Sequence, residues 1–182
     1  KENLLNTFTH HTIRINNILK VILNEILMQE KVINIVKNLV FNDELLNKKS
    51  LISILEKEEL EEFEEAHKKY ENSSNIKPKD IGIPKYFNAN NSNICIVAIH
   101  GFSSAPKEME KLALFLNSKN LNVYIPRLDG HGITPENLKT KTWQDWYNSI
   151  SRAITLASLK HEKVFIVGFS TGGLLGLLST KK

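Results

Sequence analysis

A chain of 182 residues is long enough for one full domain, or for a small domain joined to part of a larger one. Its composition, 41% hydrophobic and 24% charged, is ordinary for a globular protein, with no internal repeat and no low-complexity tract. The net charge of +4 is scattered over lysines, Arg14, Arg127 and Arg152 are the only arginines, and the most crowded charged stretch, residues 56–65, is acidic. A nucleic-acid partner requires clustered Lys and Arg on one face, so none is expected.

Residues 1–80 read as a helical N-terminal extension. Ile15, Leu19, Ile22, Ile26, Ile33, Val36 and Val40 recur at helical spacing, with Ile18, Leu23 and Leu27 widening the stripe. Residues 13–41 are the most apolar part, yet Lys20, Glu25, Glu30, Lys31 and Lys37 interrupt them. No run reaches the ~18 uncharged apolar residues of a membrane span, so no transmembrane segment is expected. The chain opens at Lys1 without a signal-peptide pattern, which suggests that the true N-terminus is missing or processed.

Asn42 and Asp43 punctuate the pattern, and Ser50 is a cap candidate for a second helix. That helix places Leu55, Leu60, Phe63, His67 and Tyr70 on an inner side and its glutamates toward water. Stripes of this kind serve core packing first, with oligomer contact or weak membrane-surface contact as the other uses. Residues 71–80, rich in Asn, Ser, Lys and Pro, read as a linker or long loop.

From residue 81 to residue 182 strands alternate with helices. Ile94-Cys95-Ile96-Val97-Ala98-Ile99 is an unbroken apolar run, the signature of a strand covered on both faces of a parallel sheet. Cys95 is the only cysteine and reads as a small buried hydrophobe. An internal disulfide is therefore excluded, and a cytoplasmic location is favoured. A helix is predicted from about Pro106, capped by Ser104, with Met109, Leu112, Ala113 and Leu116 inward and Asn120 as a left-handed terminator. Val123-Tyr124-Ile125 is the next strand.

Thr134-Pro135-Glu136 opens a short helical turn, and Thr142 with Asp145 forms a capping pair. The helix that follows carries Trp143, Trp146, Tyr147, Ile150, Ile154 and Ala157 at helical spacing, with the two tryptophans read as core. Val164-Phe165-Ile166-Val167 is a third strand, and a third helix begins at Thr171. This order specifies βαβ units and an α/β fold with a mostly parallel sheet.

Gly168-Phe169-Ser170-Thr171-Gly172 is a G-x-S-x-G pentapeptide between that strand and that helix. A serine on so sharp a turn presents its hydroxyl outward, and the crowded backbone admits only glycine at Gly168 and Gly172. The helix N-terminus beneath it offers N–H groups to a developing oxyanion. His100-Gly101-Phe102 ends the first strong strand, where ligands of open α/β sheets bind. Gly101 lets the backbone turn there, the N–H of Phe102 can face the crevice, and His100 reads as a structural hydrogen-bonding histidine.

These features resemble the α/β-hydrolase superfamily, and within it the bacterial carboxylesterases and the monoacylglycerol-lipase-like, serine aminopeptidase-type hydrolases. The residues that carry the resemblance are His100-Gly101-Phe102-Ser103, Pro126-Arg127-Leu128-Asp129-Gly130-His131-Gly132, Thr142-Trp143-Gln144-Asp145-Trp146, and the stretch from Gly168 to Gly173. It spans roughly residues 84–182 and leaves the N-terminal extension aside. The resemblance implies Ser170 as nucleophile, the N–H groups of Phe102 and Thr171 as oxyanion donors, and His131 as part of the site wall. It implies a small-molecule acyl ester as substrate and neither a metal nor an organic cofactor.

In that family the chain order is Ser, then Asp, then His. After Ser170 come only residues 171–182, none of them Asp, Glu or His. His161 precedes the nucleophile strand and belongs at its far end. The chain therefore reads as the N-terminal half of an α/β-hydrolase, with the triad Asp and His beyond residue 182 and no activity in the 182 residues alone. Thioester cleavage, acyl transfer and N-terminal peptide cleavage on the same fold, or a non-catalytic binding role, are the alternatives.

Overall fold

The computed structural model describes residues 44–180, with side chains from residue 48 onward. The apolar stripe expected over residues 13–41 and the punctuation at Asn42 and Asp43 lie outside the described residues. Two compact units divide the chain, Lys1–Ser50 and Leu51–Lys182. Of the first, the described part is residues 44–50, the opening turns of helix α1 (Glu44–Lys69). Ser50 is thus interior to a helix and not its cap. Among the described residues no helix is long and apolar enough to cross a membrane.

The second unit is built on four strands, β1 (Lys85–Phe87), β2 (Ile94–Ile99), β3 (Asn122–Ile125) and β4 (Lys163–Gly168), in the order β1-β3-β2-β4. β2 runs parallel to β3 and to β4, and β1 is antiparallel to β3. The short edge strand β1 carries no periodic signal of its own in three residues. The helices are α2 (Lys79–Gly82), a 3-10 turn (Pro106–Met109) leading into α3 (Glu110–Ser118), α4 (Pro135–Lys139), α5 (Trp143–Lys160) and α6 (Thr171–Ser179).

Side-chain alternation along β2 explains its unbroken apolar run. Cys95, Val97 and Ile99 pack with Ile150, Ala153, Leu156 and Ala157 of α5 and Leu175 of α6. Ile96 and Ala98 face the other way, toward Met109, Ala113, Val123 and Ile125. Both faces are dry, as a strand of this composition requires, and each fully buried Ile, Val or Leu contributes about 1.5–3 kcal/mol. β4 pairs with β2 alone among the described residues, and Phe165 on it is 53% exposed.

Three helix ends follow the local chemistry expected of them. The Thr142 N–H and hydroxyl both donate to Asp145 Oδ2, at 2.7 and 2.8 Å. Thr134 Oγ1 accepts from the Asn137 N–H at 3.1 Å, and Asn120 stands at φ 61° just past α3. Ser104 does not cap the helix after it. Pro106 starts a 3-10 turn whose N-cap is Ala105, because proline itself supplies the required φ.

The inward face of α1 corrects the sequence reading. Ile52, Leu55, Glu59 and Phe63 point at the sheet, while Leu60 is exposed. Glu59 is buried and accepts a hydrogen bond from the Tyr124 hydroxyl, and burial raises its pKa. Arg152 forks onto Glu62 at 2.8 and 2.6 Å, Lys160 reaches Glu56 at 2.9 Å, and Lys79 pairs with Glu64. Glu59 alone of the cluster is buried, while Glu56, Glu58, Glu61, Glu62 and Glu65 stay exposed, so the expected solvated face holds except at that one inward position. The segment after it is pinned as well, since the Lys77 N–H donates to Ile133 O at 2.8 Å.

Candidate active site

β4 ends at Gly168, α6 begins at Thr171, and the chain reverses between them. The Phe169 N–H donates to Ile99 O at 3.0 Å, which ties the turn to the end of β2. Ser170 has φ 52° and ψ −121°, a sparsely populated conformation that costs on the order of 1–3 kcal/mol. Strain of that size persists only where the surroundings enforce it. A Cβ on Gly168 would lie 2.5 Å from the carbonyl carbon and oxygen of Gly172, and one on Gly172 would lie 2.4 Å from His100 O. Packing this close holds the helix start against two strand ends and leaves Ser170 exposed.

Among the described residues no side chain hydrogen-bonds the Ser170 hydroxyl. Ser170 borders an open groove of about 470 Å³, shared with Gly168, Gly173, Leu174 and Leu177. A second cavity, about 350 Å³, is lined by Ser103, Ala105, His131, Thr134 and Leu138 and does not include Ser170.

At the end of β2, His100 is fully buried. The Leu128 N–H donates to its Nε2 at 3.2 Å, so the ring proton sits on Nδ1, which donates to Gly101 O at 3.0 Å. Burial pushes its pKa down to about 3, with the nearby charge of Arg127 acting in the same direction. The Ser104 N–H also donates to Gly101 O, at 3.3 Å. In a trans peptide the carbonyl and the following N–H point opposite ways, so two donors on Gly101 O turn the Phe102 N–H away from them.

The turn from 101 to 104 takes its left-handed residue at Ser103, φ 59°. Gly101 is needed for closeness. A Cβ there would sit 3.2 Å from the Phe169 ring and 3.4 Å from Ser170 Cβ.

The loop after β3 completes this end of the sheet. His131 is buried, and its Nδ1 lies 3.2 Å from Leu128 O and 3.3 Å from Asp129 O. Burial lowers its pKa, so it is neutral and carries its proton on Nδ1. Arg127, also buried, stands over the Phe63 ring at 5.6 Å. The Asp129 N–H donates to Ser149 Oγ on α5 at 3.1 Å.

The fold therefore gathers His100, Gly101, Phe102, His131, Gly168, Ser170, Thr171 and Gly172 at the carboxyl end of the parallel strands. His161 is not among them. It lies before β4, within reach of the Tyr86 hydroxyl and 3.5 Å from Asn122 Nδ2. Trp143 is 53% exposed and is not core, whereas Trp146 turns inward. Ser149 escaped the sequence reading, although a polar residue between Trp146 and Ile150 on the inward side of α5 was its signal. Among the described residues no group of His, Cys, Asp and Glu is arranged to hold a metal ion.

Residues 90–182 match a family model described as serine aminopeptidase, S33. A thermostable monoacylglycerol lipase of Bacillus sp. (strain H-257) is 32% identical over 91 residues, which is 50% of this chain and 36% of the lipase. A carboxylesterase of Bacillus subtilis (strain 168) is 27% identical over 95 residues, 52% of this chain and 39% of that enzyme. A solved structure from work on LipS and LipT, two metagenome-derived lipolytic enzymes, superposes with a TM-score of 0.53 at 30% identity, covering 58% of this chain and 41% of that one. The chain thus spans well under half the length of each of these relatives.

Proposed function

Because this chain belongs to the serine aminopeptidase, S33 family and carries the leading part of an α/β-hydrolase sheet, we propose that it is the nucleophile-bearing part of a serine hydrolase acting on carboxylic esters. One observation carries the reading: Ser170, exposed at φ 52°, stands between the Gly101–Phe102 peptide and the first N–H of α6. The first N–H groups of a helix have no intrahelical acceptor, so Thr171 has one to offer. The lipase and esterase names of the relatives support an acyl ester as substrate.

In the proposed reaction Ser170 Oγ attacks the acyl carbon as a histidine takes its proton. The carbonyl oxygen becomes an oxyanion between the N–H groups of Phe102 and Thr171. Collapse expels the alcohol, which receives the proton, and leaves the acyl group on Ser170. Water then attacks the ester carbon and the acid departs. The histidine and its orienting acid are assigned to residues after 182, in keeping with the share of the relatives that this chain leaves unmatched. Residues 81–182 are accordingly taken as the leading part of the hydrolase domain, and residues 1–80 as a helical extension.

A fluorophosphonate probe should label Ser170 in the complete protein. Ser170→Ala should abolish hydrolysis of short p-nitrophenyl esters, a loss on the order of 10⁶ in kcat for a triad nucleophile. Activity within tenfold of wild type after that substitution, or labelling at another residue, would overturn the proposal.

A further inference from the structure

Building on the ester-hydrolase reading, we infer that Trp146 is a positioning residue for the oxyanion donor Phe102, acting through a closed triangle of aromatic rings. Phe102 is the outer corner of the turn that begins at Gly101, and its ring is 56% exposed. Burial does not anchor it. Its ring lies 5.6 Å from the Trp146 ring and 6.0 Å from the His131 ring, which it meets edge-on at 85°. His131 and Trp146 close the triangle at 5.3 Å and 70°. Edge-to-face and tilted pairs at these separations attract through the ring quadrupoles, so the arrangement has a preferred geometry.

The base of the triangle is rigid. The Thr142–Asp145 capping box fixes the first turn of α5, and Trp146 follows at once. One turn further, Ser149 Oγ accepts the Asp129 N–H at 3.1 Å and donates to Asp145 O at 3.0 Å. The start of α5 therefore grips the loop that carries His131 by a hydrogen bond, and the corner at Phe102 by a ring. Residue 102 is held from two sides. His100 and the Ser104 N–H hold the carbonyl of the peptide before its Cα, and the triangle holds the side chain after it. Hydrogen bonds at one oxygen leave that peptide free to tilt about its anchor, and the ring contact removes this freedom.

The test uses p-nitrophenyl butyrate with the complete enzyme, and an aryl boronic acid as a mimic of the tetrahedral adduct. Misplacing a catalytic group by ~1 Å costs on the order of 10²-fold in rate. Trp146→Ala and Phe102→Ala should each lower kcat about 30–100-fold with KM within about twofold. Boronate affinity should fall in parallel. Phe102→Ala removes an exposed ring and keeps the backbone N–H, so misfolding does not obscure it. Trp146→Phe should restore kcat to within about threefold of wild type, and Trp143→Ala, a few residues away on the exposed side, should leave it unchanged.

Because both residues act through one contact, the double variant Phe102→Ala/Trp146→Ala should be less than about threefold worse than either single variant. Single variants that keep wild-type kcat, losses that multiply in the double variant, or unchanged boronate affinity would each overturn the inference. Failure of the fluorophosphonate to label wild-type Ser170 would instead sink the hydrolase reading beneath it.

Discussion

Acid should loosen the latch at His100, and the structure sets how steeply. The buried imidazole must accept from the Leu128 N–H and donate to Gly101 O at the same time, which only the neutral ring can do. A second proton would remove the acceptor and place a charge in a site with no solvent, beside His131 and Arg127. The folded pKa is accordingly about 3, against 6.5 in the unfolded chain. The unfolded state therefore binds this proton first as the pH falls. Stability from His100 is intact above pH 6.5 and drains away between 6.5 and about 3, at roughly 1.4 kcal/mol per pH unit.

Going from pH 6.5 to 5 should thus remove about 2 kcal/mol, or about 4–8 °C of Tm in a domain of about 200 residues. The measurement is a thermal unfolding series from pH 8 to 5 on the complete protein and its His100→Asn variant. His131 shifts in the same direction and contributes to both curves, so the difference between them isolates His100. The variant should start lower and converge on wild type as the pH falls. Parallel curves would refute the assigned tautomer and the latch with it.

Gly172→Ala puts a methyl group 2.4 Å from His100 O and 2.6 Å from Ile99 O, both backbone atoms that cannot swing aside. The helix start must retreat by about 1 Å, so ester turnover should fall about 100-fold and stability by about 3 kcal/mol, and a variant with wild-type kcat and Tm would contradict the close packing claimed for that glycine. The 182-residue chain expressed alone should show no esterase turnover and should associate, because β4 has one open flank among the described residues and Phe165, Leu174 and Leu177 are exposed beside it. Sedimentation as a monodisperse monomer with one cooperative unfolding transition would refute that expectation.

What was legible in the sequence is what neighbouring residues decide among themselves. The run Ile94–Ile99, the Thr142–Asp145 pair, the turn at Asn120 and the pentapeptide around Ser170 each depend on backbone preferences within a few residues, and each appears where expected. The failures share a different cause. Glu59 points inward, where Tyr124, 65 positions later, offers its hydroxyl, whereas Glu62 stays exposed even as it meets Arg152 across 90 positions. A glutamate in isolation reads as solvated, since the cost of burying it is offset only by partners that no local window contains. Leu60, about 100° round the helix from Glu59, falls at the edge of the inner stripe and is exposed.

The candidate site divides along the same line. Ser170, Gly168 and Gly172 could be read because a reversal between strand and helix imposes its own residue types. His100 was legible as a hydrogen-bonding histidine but its partner at Leu128 was not, and the work of Trp146 and Ser149 could not be read at all, since each acts on a loop from another element. His100 orients a peptide beside Ser170 through a loop after β3, and Ser149 steadies that loop from α5. An oxyanion donor is useful only if it is in place before charge develops, so a fold must fix it by contacts outside its own turn. Such contacts are long-range by necessity. The residues that would place the donor are therefore the ones a pentapeptide cannot announce, and Trp146, set down in sequence as core, is the case that the ring triangle puts to the test.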